Sequence, residues 1–364
     1  MTFVAKPKDN WCNLIDSFLA SMPPSDYAEL GVVVAMSGGA DSVALLRLLV
    51  ESWERFYTNA RDFITVAHFN HGIRGVDSDN DQLFVEQLAE EIGVRCIAKK
   101  ALASGDSDYH ENQAAPSLGS ENLLRRQRYA FLNACLESTG SRCLLVAHNA
   151  DDQIESVLHN LFRGTGPVGL CGMKNVREIE QDYILLRPLL GIRSYALRNG
   201  LREINQDWRE DKSNYSNRYQ RNWIRNSLLP RILDRYKEAD LAILRLIATQ
   251  NDWYISLGRQ ARDWVHQNVD CNGSQVFIRR SKLNDRAVFG IALAMVWDKM
   301  GWQRSELTMA HYHNIFFLVE SSNKRLERGG HGKIKCTKAI DLPGRIRASQ
   351  VAQDTVLISK SISP

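Results

Sequence analysis

Several short runs carry residue types suited to phosphate chemistry. Ser37-Gly38-Gly39-Ala40-Asp41-Ser42 follows the apolar run 31–36 and opens a helical pattern. Adjacent glycines admit positive φ and let consecutive backbone N–H groups approach a ligand, and a helix N-terminus adds partial positive charge, so the run reads as an anion cradle. It lacks the Gly-Lys-Ser/Thr ending of a mononucleotide P-loop and cannot be written as Gly-x-Gly-x-x-Gly. Asp41 would repel phosphate unless it holds Mg2+ or caps the helix, which points to a metal-bridged pyrophosphate. A second run, His148-Asn149-Ala150-Asp151-Asp152-Gln153-Ile154-Glu155, also leaves an apolar stretch and enters a helix. There Asp151 suits the cap and leaves Asp152 to face a pocket. In a third, His68-Phe69-Asn70-His71-Gly72-Ile73-Arg74, no further Cys or His lies nearby, so a pocket wall suits it better than a metal centre. Glu121, Arg125 and Arg128 share one helical face, for which a solvated Glu–Arg ladder is the simplest reading.

The elements that must position these runs alternate. Buried-strand runs at 31–36, 63–68, 94–98, 143–147 and 183–186 are separated by helical spacing at 42–55, 79–92, 121–137 and 151–162. The polar segment 104–120 predicts a mobile loop. This rhythm predicts an α/β fold, an open and mostly parallel doubly wound sheet whose ligands bind at the carboxyl ends of the strands, where the three runs fall. Beyond about Arg221 the rhythm stops, with helical patterns at 224–264 and 285–300 and a short hairpin near 275–279. We therefore expect a catalytic domain over 1–220, a mostly helical domain over 221–330 and a small β-containing appendage over 331–364.

Composition narrows the class. The 364 residues are 44% hydrophobic and 24% charged with net charge +4, as in an ordinary globular protein. The longest apolar stretch, 287–297, is too short for a membrane span, and the N-terminus has no secretory pattern, so a cytoplasmic protein is expected. Seven scattered Cys with no Cys-x-x-Cys indicate neither a disulfide framework nor a zinc or iron–sulfur site. Between Arg187 and Arg235 basic residues, mostly arginine, outnumber acidic ones, which suits phosphate but also an ion-paired helical face.

Ser37–Ser42 resembles the signature of the ATP-pyrophosphatase (N-type) superfamily, which adenylates a carbonyl oxygen and releases pyrophosphate. The ordered set extends the resemblance. Ser37–Ser42, His68–Arg74, Glu121/Arg125/Arg128/Tyr129, His148–Glu155, Arg163-Gly164 with Gly169–Met173, Arg187–Leu190, Trp208–Asn214 and Arg221-Asn222-Trp223-Ile224-Arg225 together resemble the tRNA(Ile)-lysidine synthetase family over residues 31–231. Leu342-Pro343-Gly344 is similar to a motif of that family's C-terminal region. Asn149, Ser156 and Lys212 stand where that family commonly has histidine, threonine and proline.

The resemblance implies ATP, Mg2+, free lysine and a tRNA(Ile) with a CAU anticodon. The wobble cytidine is adenylated on its carbon 2 oxygen, and the lysine ε-amine then displaces AMP. It implies ATP binding by Ser37, Gly38, Gly39, Ala40, Asp41 and Ser42, with Asp41 toward Mg2+ and His68 and Asn70 on the adenosine side. For lysine it implies Asp152 with Glu121 for the ammonium groups and Arg125 or Arg128 for the carboxylate. Arg221 and Arg225 would reach the cytidine or α-phosphate, or else the tRNA backbone, and Arg163, Arg209, Arg218 and Arg231 would contact tRNA. A homodimer is among the assemblies left open. Three other readings compete: a cytidine thiolase, for which clustered cysteines are lacking; an amidotransferase ligase sharing the glycine turn; and a non-catalytic tRNA-binding relative, which would not need acidic groups beside phosphates.

Overall fold

The computed structural model describes residues 11–72, 75–101, 118–179, 182–210, 220–279, 285–303, 306–321, 339–352 and 354–360. By its internal contacts the chain forms two compact units, Met1–Gly164 with Gly172–Leu246, and Thr165–Cys171 with Ile247–Pro364.

The first unit is built on a six-stranded sheet of order β3-β2-β1-β4-β6-β5. Its strands are β1 (Val32–Ala35), β2 (Ile64–Asn70), β3 (Arg95–Lys100), β4 (Cys143–Leu145), β5 (Val176–Glu178) and β6 (Ile184–Leu186). All neighbours pair in parallel except β5, an edge strand antiparallel to β6. Because strand side chains alternate between faces, Val32 and Val34 join one core cluster and Val33 another. Helices α1 (Trp11–Ser21), α2 (Ala40–Trp53), α3 (Val76–Ile92) and α6 (Ser194–Glu203) contribute to the first cluster through Phe18, Leu46, Leu88 and Leu197. Helix α4 (Leu118–Thr139) covers the other face with Phe131, Leu132 and Leu136. Both faces are thus buried, which is why the central strands read as unbroken apolar runs. Gly200 lets α6 approach α1 closely, since a Cβ there would stand 2.6 Å from Leu14 Cδ1. The doubly wound, mostly parallel fold expected from the sequence is present. Helix α4 begins at Leu118, inside the segment expected to be loop; 102–117 lie outside the described residues.

After α5 (Ala150–Phe162) and α6, the expected helix over 224–264 is divided. A turn at Gln220–Trp223 leads into a π-helical segment Ile224–Leu228, then α7 (Leu229–Arg235) and α8 (Ala239–Asn268). Pro230, which cannot donate an N–H, sits at the start of α7.

The second unit joins α9 (Arg286–Lys299) and α10 (Met309–Ser321) to a five-stranded antiparallel sheet of order β7-β8-β11-β10-β9. Strands β7 (Val269–Asn272) and β8 (Gln275–Arg279) form the expected hairpin. Here the structure departs from the expected layout. β11 (Thr355–Lys360) pairs with β8, and β10 (Ile346–Ala352) and β9 (Ala339–Leu342) follow, so the C-terminal strands share a sheet with the hairpin. Val276, Ile278, Val356 and Ile358 pack with Trp297 and Ile315 in one core. The first compact unit thus runs on to Leu246, and the second takes in Thr165–Cys171 as well as the chain from Ile247. Among the described residues, no helix is long and apolar enough to cross a membrane.

Candidate active site

An open cavity of about 1290 Å³ lies in the first unit, lined by residues that follow β1, β2 and β4. After β1 the chain turns through Gly38 at φ +85°, and Gly39 precedes α2 without a side-chain cap. The hydroxyls brace the turn: Ser42 Oγ donates to Gly39 O at 2.9 Å and accepts from Ser37 N at 3.3 Å, and Gly39 N donates to Ser37 Oγ at 3.3 Å. An uncapped helix N-terminus beside a glycine turn is suited to an anion.

Asp41 is not the helix cap. It accepts a hydrogen bond from Ser194 Oγ at 2.9 Å, and burial, reinforced by the charge of Asp152, pushes its carboxyl above the usual range. A carboxylate so placed beside a phosphate cradle fits Mg2+, which takes one or two protein carboxylates and completes its shell with phosphate oxygens and water.

At the end of β2, His68 Nδ1–H donates to Met36 O at 2.9 Å. Its Nε2 is buried without a partner among the described residues, and burial holds the ring's pKa down, so Nε2 is an acceptor on the cavity wall. Asn70 shapes its own turn, donating to Asp79 Oδ1 at 2.9 Å and Gln82 Oε1 at 3.1 Å and accepting from Gly72 N at 2.8 Å.

The run after β4 corrects the expected roles of its acidic residues. Asn149 is the cap of α5, its Oδ1 accepting from the N–H groups of Asp151 at 2.9 Å and Asp152 at 3.1 Å. Asp152 closes the box by accepting Asn149 N–H on Oδ2 at 3.0 Å, which leaves Oδ1 for the cavity side. Asp151, expected to cap, instead accepts from Arg193 Nε at 3.0 Å and Ser194 N at 2.7 Å, while Arg193 also bonds Asp240. Asn149 wins the cap because its backbone is extended (φ −118°, ψ −173°), whereas Asp151 lies inside the first helical turn.

One turn further, buried Glu155 meets Arg225. Arg225 Nε reaches Glu155 Oε1 at 2.5 Å, and Nη2 reaches Glu155 Oε2 at 3.1 Å and Asp152 Oδ1 at 3.2 Å. Ile154 and Leu158 pack with Ile224 and Leu229, which anchors the π-helical segment that presents Arg225. Burial pushes Glu155 up to about 7 against the opposing pull of Arg225. Burial, aided by nearby arginines, brings His148 down to about 4, so its ring is neutral; Nδ1 accepts from Arg187 Nε at 3.3 Å.

The remaining expected residues divide. Arg128 and Tyr129 line the cavity, with the Arg125 guanidinium 5.1 Å from the Tyr129 ring centre. Arg209 also lines it, at the Gly38 turn. Arg163 ends α5 beside His159, and Arg221 and Arg231 are exposed on the turn at Gln220–Trp223 and on α7. Glu121 lies in α4 with its side chain outside the described part, and Arg218 lies outside the described residues. Sequence reasoning gave no role to Glu155, His148, Arg193 or Ser194. Glu155 could have been found from its helical i+3 spacing after Asp152; Ser194 carries no local signal.

Residues 14–232 match the PP-loop domain family. The tRNA(Ile)-lysidine synthase of Rhodopirellula baltica is 33% identical over 346 residues, covering 86% of both chains. The chain belongs to the tRNA(Ile)-lysidine synthase family. The synthase of Clostridium acetobutylicum is 28% identical over 87% of this chain, which spans 63% of that relative's length. Among solved structures, a U34-tRNA thiolase from Methanococcus maripaludis with its [4Fe-4S] cluster aligns at TM-score 0.51 and 16% identity, over 66% of this chain and 78% of its own, a likeness of fold alone. As a member of the lysidine synthase family the chain is an ATP-using ligase of tRNA modification that forms a carbon–nitrogen bond.

Proposed function

We propose that this cavity carries out both halves of lysidine formation on the wobble cytidine of a tRNA(Ile) with a CAU anticodon, using free lysine and Mg·ATP in the cytoplasm. The carrying observation is the convergence of an uncapped glycine turn, Asp41 and the Asp152–Glu155–Arg225 group on one cavity. In the first step the cytidine carbon 2 oxygen attacks the α-phosphorus and pyrophosphate leaves. The Ser37–Ser42 turn holds the pyrophosphate end, and the acceptor Nε2 of His68 faces the nucleoside. Mg2+, when bound at Asp41, would offset charge developing on the leaving group.

In the second step the lysine ε-amine bonds to carbon 2, and AMP departs with the former carbonyl oxygen. Only the neutral amine attacks, so the ammonium must first give up a proton. Asp152 and Glu155 suit the ammonium, and the raised pKa of Glu155 suits it to take that proton near neutrality. Arg225 orients both carboxylates through three hydrogen bonds. Arg128, with Arg125 behind Tyr129, suits the lysine carboxylate. Arg163, Arg221 and Arg231, exposed on α5, its neighbouring turn and α7, suit tRNA phosphates.

The test is incorporation of radiolabelled lysine into unmodified tRNA(Ile) of anticodon CAU. We expect incorporation that requires ATP and Asp41 and spares tRNA(Met). ATP cleavage to AMP and pyrophosphate without lysine transfer would overturn the lysine assignment.

A further inference from the structure

Resemblance assigns Arg209 to tRNA, but its surroundings belong to the nucleotide end of the cavity. Arg209 N–H donates to Gly38 O at 2.9 Å. Its Cγ would stand 3.5 Å from a Cβ on Gly38, in ordinary contact, so the stem of the side chain lies along the turn. Its Nε donates to Asp81 Oδ1 at 3.0 Å; the Asp81 carboxylate is nearly enclosed, with 11% exposure against 44% for the arginine side chain. Both residues line the cavity. One edge of the guanidinium is therefore anchored while the side chain remains accessible to a ligand at the turn.

Charge at this end of the cavity suits such a group. The turn offers backbone N–H groups, worth a fraction of a positive charge, while Asp41 and Asp81 add negative charge nearby. A pyrophosphate end carries several negative charges, and a guanidinium fork matches phosphate oxygens with paired donors. We infer that Arg209 binds the pyrophosphate end of ATP, presented to the Gly38 turn by Asp81, and is not a contact to the tRNA backbone. This rests on reading the turn as the ATP site.

The test uses the full chain carrying Arg209→Ala, Arg209→Lys or Asp81→Asn. Three affinities are measured by calorimetry or filter binding: for Mg2+ with α,β-methylene-ATP in the absence of tRNA, for AMP, and for tRNA(Ile) in the absence of nucleotide. Losing charge-assisted bonds to phosphate predicts about 10- to 100-fold weaker binding of the ATP analogue by Arg209→Ala. Arg209→Lys, which keeps a point charge, and Asp81→Asn, which loosens the fork, lose less. AMP, which lacks the outer phosphates, and tRNA bind as in the unaltered protein. A fall in tRNA affinity with the analogue unaffected overturns the inference. So does a parallel loss of AMP, which would make Arg209 a shaper of the turn, and so does no change at all. An unaltered protein that fails to bind the analogue overturns the ATP reading beneath it.

Discussion

Asp41, after β1, and the group of Asp151, Asp152 and Glu155, after β4, line one cavity but are balanced differently. Asp41 takes its hydrogen bond from the neutral Ser194 hydroxyl, and Arg198 and Arg225 act on it only through space. The second group is met directly: Arg193 binds Asp151, and Arg225 binds both Asp152 and Glu155. A carboxylate whose partner is a hydroxyl is suited to a cation that arrives with the substrate. Carboxylates already held by arginine are oriented in advance, ready to add an ammonium group to an existing network. That difference is what supports the proposed reading, in which metal and pyrophosphate lie on one side of the chemistry and amine and proton on the other.

Substitutions should break that division cleanly. The largest effect is expected from Asp41→Ala, about 10³-fold slower adenylation in single-turnover assays, with tRNA affinity in filter binding unchanged. Equal losses in adenylation and in lysine affinity would erase the contrast between the two sides.

Next comes Glu155. Only its ionised form accepts a proton, so lysine transfer should rise with pH through about 7 and level off above it. Glu155→Gln should remove that limb from the pH profile and slow transfer about a hundredfold, with adenylation close to normal. His148 is already neutral over this range and should contribute no limb. A rising limb that survives in Glu155→Gln would assign the proton to another group.

The smallest effect sharpens the comparison. Asn149→Ala removes the cap of α5, worth about 1 kcal/mol of stability in a denaturant melt. Because the cap also steadies Asp152, we expect the KM for lysine to rise while the KM for ATP holds, and Asn149→Ser to restore the stability and the lysine KM. A change confined to stability would make the cap a folding device alone.

Much of this was legible in the sequence because it is local. Apolar runs of strand length alternating with helical spacing foretold the parallel sheet, and the polar residues closing those runs foretold where the cavity lies. The rest depends on contacts between distant segments. No local pattern says that Ser194 meets Asp41 or that Arg225 meets Glu155. Nor does one show that β8 pairs with β11, since antiparallel partners far apart in the chain share no period. The capping error had a different source: Asn149, Asp151 and Asp152 are all good caps, and only the extended backbone at Asn149 decides among them.

In the proposed function one cavity first adenylates the cytidine and then passes it to lysine. The most direct measurement incubates the protein with α-labelled ATP, Mg2+ and unmodified tRNA(Ile) of anticodon CAU without lysine, then adds lysine. Label should accumulate on the tRNA in the first stage and be released as AMP in the second, at the rate at which lysine is incorporated. Label that never joins the tRNA, or that joins it and is not discharged by lysine, would rule out an adenylated cytidine passed to lysine in this cavity.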